Sequence, residues 1–125
     1  MLLCDTDVFI EYFKGNEETK HVLENTGSEQ LALSVITAME LFYGARNKHE
    51  LTQLQQALQP LSLIHVSKTI SQKAFELVRT YTKSHGLSIP DVLIAATAMM
   101  TEWSLFTYNS KDFRYIQGLV LYPGT

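Results

Sequence analysis

The sequence predicts an α/β domain in which a parallel sheet carries helices on its faces. Three observations lead there. Short apolar runs alternate along the chain with longer stretches of helical periodicity, the pattern of β-α units whose crossovers cover a buried sheet. Residues that start and stop helices recur at the joints between those stretches. The 125 residues are 46% hydrophobic with only three prolines and six glycines, which suits one compact domain over residues 1–125 and excludes a disordered or low-complexity chain.

Leu2–Cys4 reads as a first strand that ends at Asp5, with Asp7 expected to cap a helix over Val8–Lys14, stopped by Gly15-Asn16. Glu17–Asn25 forms a more polar helix closed near Gly27, and Leu31–Leu33 a short second strand. Ser34 caps a helix that runs to about Asn47, followed by a polar helix over Glu50–Gln59 that Pro60 ends. Leu61–His65 makes a third strand. Ser67 caps the longest helix, Lys68 to about Ser84, with Gly86 as its terminator. Pro90 suits the first position of a helix over Pro90–Glu102, where a missing N–H costs nothing. Ser104–Thr107 is a fourth strand, Asn109–Asp112 a polar turn, and Leu119–Leu121 an edge strand before Pro123-Gly124.

Composition narrows the function. No apolar run approaches the ~18 residues needed to cross a bilayer, and the first residues lack a basic region with a cleavage site. The lone Cys4 excludes an internal disulfide and suits a reducing compartment, so a cytoplasmic location is expected. The four histidines, His21, His49, His65 and His85, lack any zinc-ligand spacing. There is no nucleophile elbow and no P-loop. Cys4, in a buried strand, is expected to be core.

Four acids stand out. Asp5 follows the first strand, at the carboxyl edge where open α/β sheets bind ligands. Glu40 lies on a helix face shared by Thr37, Tyr43 and Gly44. An amphipathic helix would carry it on the solvent side without further cause, but Gly44 one turn on is weak inside a helix and leaves room for close approach. Asp91 opens the helix Pro90–Glu102, where an acid complements the helix dipole. The small-residue face Asp91–Ala95–Ala98 permits close packing on the sheet. Glu102 shares that face but lies ~16 Å along the helix and is expected to be solvated. After the fourth strand, Thr107, Asn109 and Asp112 supply a hydroxyl, an amide and a carboxylate at the same edge as Asp5.

Carboxylates gathered in one place raise one another's pKa. A divalent cation resolves that, and an all-oxygen set selects Mg²⁺ or Mn²⁺ over zinc. Without those four acids the net charge of −3 becomes +1, so overall acidity does not oppose a polyanionic substrate. Arg46, Lys48, Lys111 and Arg114 are the cations placed to contact its phosphates.

In order along the chain, the strings Leu3-Cys4-Asp5-Thr6-Asp7-Val8-Phe9-Ile10, Leu33-Ser34-Val35-Ile36-Thr37-Ala38-Met39-Glu40-Leu41-Phe42-Tyr43-Gly44, Ile89-Pro90-Asp91-Val92-Leu93-Ile94-Ala95-Ala96-Thr97-Ala98 and Phe106-Thr107-Tyr108-Asn109-Ser110-Lys111-Asp112-Phe113 make the chain resemble the PIN-domain family, within it the VapC-type toxins of toxin–antitoxin pairs. The resemblance implies a three-layer α/β/α domain with a mainly parallel sheet of four to five strands, acting as a metal-dependent endoribonuclease. By position it implies that Asp5, Glu40 and Asp91 are core acids. Relatives place the fourth carboxylate where Asn109 or where Asp112 stands; Asp112 is the carboxylate here, with Thr6, Thr37, Thr107 and Asn109 as supporting polar groups. It further implies an RNA substrate, a homodimer and a small antitoxin that blocks the site, for which Phe9, Tyr12 and Phe13 offer apolar surface. The chain departs from the family at Glu102-Trp103, where many relatives carry a glycine.

Two other readings compete. A non-catalytic PIN-like interaction module would need none of the clustered acids. Asp5-Thr6-Asp7 after a strand also resembles the haloacid-dehalogenase-like phosphatases, but Glu40 has no task in that chemistry.

Overall fold

The computed structural model describes residues 1–123. Among them, four strands form a single sheet: β1 (Leu2–Cys4), β2 (Leu31–Ser34), β3 (Ser62–Ile64) and β4 (Ser104–Phe106), ordered β3-β2-β1-β4. Every pairing is parallel, with Leu2 opposite Leu31 and Ser104, and Ala32 opposite Ser62. β1 and β2 are buried along their whole length, which is why they read as unbroken apolar runs rather than as alternating strands.

Six helices complete the described chain: α1 (Thr6–Phe13), α2 (Glu17–Thr26), α3 (Val35–Tyr43), α4 (Lys48–Leu58), α5 (Lys68–His85) and α6 (Ile89–Thr101). The strand period of two sorts the sheet into two cores. Leu3, Ala32 and Leu105 face α5 and α6, packing on Ile70, Ala74, Leu77 and the small stripe Ala95 and Ala98. Leu2, Cys4, Leu31, Leu33 and Phe106 face the other way, onto Val8, Phe9, Leu23, Leu41 and Leu58 of α1 to α4. The result is a three-layer α/β/α sandwich, as the resemblance implies.

Most expected caps are present. Ser34 and Ser67 each accept a backbone N–H in the first turn of the following helix, and Ser88, which was not among the expected caps, caps α6 and starts it one residue ahead of the expected Pro90. Four expectations change. Asp5, not Asp7, caps α1, so that helix starts two residues earlier. Asn16 caps α2 instead of merely ending α1. α3 stops at Gly44, because Asn47 accepts the Glu50 N–H and starts α4 two residues early. Gly44 is therefore a helix end, and a Cβ there would make only ordinary contacts of 3.5 and 3.6 Å, so close approach does not explain it. The expected edge strand reduces to one parallel bridge between Leu121 and Leu105; Gly124 of the pair expected to end it lies outside the described residues.

α6 closes on Glu102 in the left-handed conformation, at φ 60°, the one non-glycine with positive φ among the described residues. It lies within the Glu102-Trp103 pair at which the chain departs from the family. A left-handed L-residue costs ~1–2 kcal/mol, partly offset by the freedom glycine loses on folding. Glu102→Gly is expected to stabilise the protein by about 0.5–1 kcal/mol, read as a higher urea midpoint with an unchanged slope.

Candidate active site

The carboxyl edge of the sheet is where the acids collect. In the β1–β4 register Cys4 lies opposite Phe106, and the Asp5 N–H extends that ladder by donating to the Phe106 carbonyl at 2.9 Å. The next residues of the two strands, Asp5 and Thr107, are thus held side by side. Thr107 Oγ1 accepts the Asn109 N–H at 3.0 Å and gives its proton to Asp5 Oδ2 at 2.9 Å. The other oxygen, Oδ1, accepts the Thr6 N–H at 2.7 Å as the cap of α1. Both oxygens are held, and the residue is 6% exposed.

The remaining groups surround it. Thr6, in the first turn of α1, donates its hydroxyl to Glu40 Oε1 at 2.6 Å and shares a 3.1 Å hydrogen bond with buried Thr37. α3 thereby presents an exposed Glu40 one turn beyond Thr37. Asp91 is half-buried in the first turn of α6, its N–H donating to Ser88 Oγ at 3.3 Å. Asp112 ends a 3-10 turn, Ser110–Asp112, and accepts the Asn109 side-chain amide. Asn109 and Asp112, alternatives for the fourth position, are thus tied together, with Asn109 as the donor.

Asp7 joins them. Sequence reasoning assigned it to capping, but with Asp5 in that role its carboxylate turns to the loop after β4 and accepts the Tyr108 N–H, at 3.2 Å to the nearer oxygen. The signal was the position of the helix start: a cap at Asp5 makes Asp7 a first-turn residue, free to face the sheet edge.

Electrostatics confirm the proximity. Burial pushes the Asp5 carboxyl from its ordinary 3.8 up to about 7, with the charges of Asp7 and Asp91 adding to it against the hydrogen bonds from Thr107 and Thr6. Asp7 is raised by burial and by Asp91, and Asp91 by burial, Asp112 and Glu40. The ion pairs among the described residues lie elsewhere, at Lys14–Glu11, Arg46–Glu50 and Lys73–Glu76. These acids therefore crowd one another without a basic counter-charge. No three His, Cys, Asp or Glu side chains among the described residues are already drawn around one point to hold a cation. Protein donors hold Asp5, Asp7, Glu40 and Asp112. As oxygen donors they match a hard divalent cation such as Mg²⁺ or Mn²⁺. Cys4, beside them in β1, is buried with its thiol pushed up to about 12, and is core.

The expected phosphate contacts separate. Arg46 is engaged, its guanidinium 2.6 Å from Glu50. Lys48, Lys111 and Arg114 are exposed and form no ion pair among the described residues. Beside the site runs a cleft of about 670 Å³ between α1, α3 and α4, lined by Ile10, Phe13, Leu41, Leu54 and Ala57, with Glu40 at its wall. Ile10 and Phe13 are 42% and 43% exposed there, whereas Phe9, expected as surface, is core at 2%.

A family model for the PIN domain matches residues 2–119. A relative named ribonuclease VapC1, from Methanocaldococcus jannaschii, is 32% identical over 126 residues, spanning 97% of this chain and 86% of its own. Among solved structures, a toxin–antitoxin complex from Klebsiella pneumoniae contains a chain 35% identical with a TM-score of 0.81, covering 96% of each chain. VapBC2 from Rickettsia felis, bound to a DNA fragment from their promoter, matches at 26% identity with a TM-score of 0.83 over 97% of this chain and 96% of that one.

Because the folded pKa of Asp5 exceeds its ordinary value, the metal-free folded protein keeps a proton that the unfolded chain has lost between about pH 4 and 7. Stability is expected to fall as pH rises through that window and to level off above it. At pH 8, Asp5→Asn is expected to stabilise the metal-free protein by roughly 2–4 kcal/mol, with little effect near pH 4, as measured by urea unfolding in EDTA.

Proposed function

The chain belongs to the PIN-domain family, and we propose that it is a divalent-metal-dependent endoribonuclease, the toxin of a toxin–antitoxin pair that inhibits translation or growth. The observation that carries this reading is the set of acids at one sheet edge, none of them in an ion pair among the described residues. A protein keeps such a cluster at a cost in folding stability unless a cation occupies it. Relatives named ribonuclease VapC supply the reaction class.

Asp5, Glu40, Asp91 and Asp112 would hold Mg²⁺ or Mn²⁺, with Asp7 added by its place beside Asp5. A cation held there would supply Lewis-acid chemistry, acidifying a water for attack on a phosphodiester and offsetting charge on the leaving oxygen. The chain's own contribution is orientation. Thr107 and the Thr6 N–H fix both Asp5 oxygens, the Thr6 hydroxyl holds Glu40, and Asn109 holds Asp112. Lys111 and Arg114 flank the Asp112 turn and draw in the phosphate backbone.

The solved neighbours from Klebsiella pneumoniae and Rickettsia felis are toxin–antitoxin assemblies. By analogy the cleft beside Glu40 receives an antitoxin segment, whose apolar residues cover Ile10, Phe13 and Leu54 and whose basic side chain meets the acids. Family kinship also supports a homodimer acting in the cytoplasm; no helix among the described residues is long and apolar enough to cross a membrane. The phosphatase alternative is weaker, since the PIN-domain match spans nearly the whole chain and Glu40 is bonded into the site. A purely non-catalytic module leaves the uncompensated acids without a use.

Asp5→Asn or Asp91→Asn is expected to lower Mn²⁺-dependent cleavage of cellular RNA by about a hundredfold or more, while the folded spectrum is kept. Mn²⁺ should raise the melting temperature of the wild type and leave that of Asp5→Asn nearly unchanged. Undiminished cleavage by either variant would remove the assignment. Replacing Lys111 and Arg114 together with Gln is expected to weaken RNA binding and to flatten its log–log salt dependence by about 1.4; an unchanged slope would show that neither touches phosphate.

A further inference from the structure

Beside the acids stands an aromatic stack that no step above uses. His85, the last residue of α5, lies flat against Tyr115, with ring centroids 3.7 Å apart and planes 7° from parallel. Tyr81, one turn earlier, meets both rings edge-on at 6.0 and 5.2 Å. The Tyr81 hydroxyl accepts the Gln117 N–H at 3.1 Å, which pins that ring, and Ser84 Oγ lies 2.6 Å from His85 Nδ1. The imidazole is therefore held in plane although the residue is exposed, and Tyr115 covers one of its faces.

Its position is what gives the stack meaning. His85 and Gly86, left-handed at φ 60°, turn the chain into the segment that ends at Asp91. Tyr115 follows Asp112 by one turn. Burial, then the charges of Asp112 and Asp91, hold the Tyr115 phenol above its ordinary value. Its hydroxyl is buried and has no hydrogen-bond partner among the described residues. Proteins that read single-stranded RNA stack splayed bases on aromatic rings, including His.

We propose that His85, backed by Tyr115, is a stacking platform for one unpaired nucleobase of the RNA next to the cleaved phosphate. This rests on the ribonuclease reading and adds the substrate contact that sets where the strand lies.

The test uses a ten-nucleotide single-stranded RNA with 2-aminopurine placed at each position in turn, mixed rapidly with the full chain in Mg²⁺ so that the binding signal precedes cleavage. The wild type should quench 2-aminopurine at one position. His85→Ala should lose that quench and weaken binding by about 5- to 100-fold, whereas His85→Phe, which keeps a flat ring, should restore both. A merely structural role for His85 would not follow ring planarity in this way. A His85→Ala protein that cleaves, quenches and binds like the wild type overturns the platform alone, as does a His85→Phe protein that stays as weak as His85→Ala. A wild type that neither binds nor cleaves any of these RNAs or cellular RNA overturns the ribonuclease reading, and the platform with it.

Discussion

The site depends on one pairing, the parallel register that sets β1 against β4. Because Cys4 is opposite Phe106, the residues that leave the two strands, Asp5 and Thr107, meet with their side chains in reach. Thr107 is left with one role by the backbone of Asn109, which occupies its oxygen and directs its proton to Asp5. A slip of one residue would exchange the two faces of the strand and put Asp5 under the helices. The strands resist such a slip because each face is already sorted, Leu3 and Leu105 to one core and Leu2, Cys4 and Phe106 to the other. Hydrophobic sorting on both faces therefore fixes the geometry of a polar site at the edge.

Around Asp5 the chain uses its helix starts as mounts. α1 begins on Asp5 itself, α3 directly from the last residue of β2, and α6 from Ser88 just ahead of Asp91. Each start carries polar groups toward the same edge: Thr6 and Asp7 from α1, Thr37 and then Glu40 from α3, Asp91 from α6. First-turn N–H groups and dipoles favour negative charge at such positions, but burial and mutual repulsion act against it and win at Asp5, Asp7 and Asp91. The fold thus gathers carboxyls whose charged forms burial and neighbouring charges disfavour. Ser34 and Ser88, the neutral caps of α3 and α6, leave the carboxylates of those helices uninvolved in capping, whereas Asp5 is both cap and site acid.

Glu102 shows a local rule broken away from the site. α6 ends in a left-handed turn on a non-glycine residue, and the backbone reverses into β4, where Trp103 donates its N–H to the Ala98 carbonyl at 3.1 Å. Packing of the Ala95 and Ala98 stripe on the sheet sets where that reversal falls. Gly44 is the converse: a glycine that invites a special explanation but occupies an ordinary helix end.

The order of strands and helices, the helices on both faces of the sheet and the Ser34 and Ser67 caps were legible in the sequence, because apolar runs, helical periodicity and cap residues are local signals; Asp5, Glu40, Asp91 and Asp112 stood out there by their places in those local elements. Only the tertiary structure decided which of Asp5 and Asp7 caps α1, since either residue can accept a first-turn N–H and the choice turns on Tyr108, a hundred residues away in the chain. It likewise reduced Leu119–Leu121 to a single bridge, engaged Arg46 with Glu50, and laid His85 on Tyr115. Those outcomes depend on which distant side chains arrive at the same place, and a linear pattern carries no record of that until the sheet register brings them together.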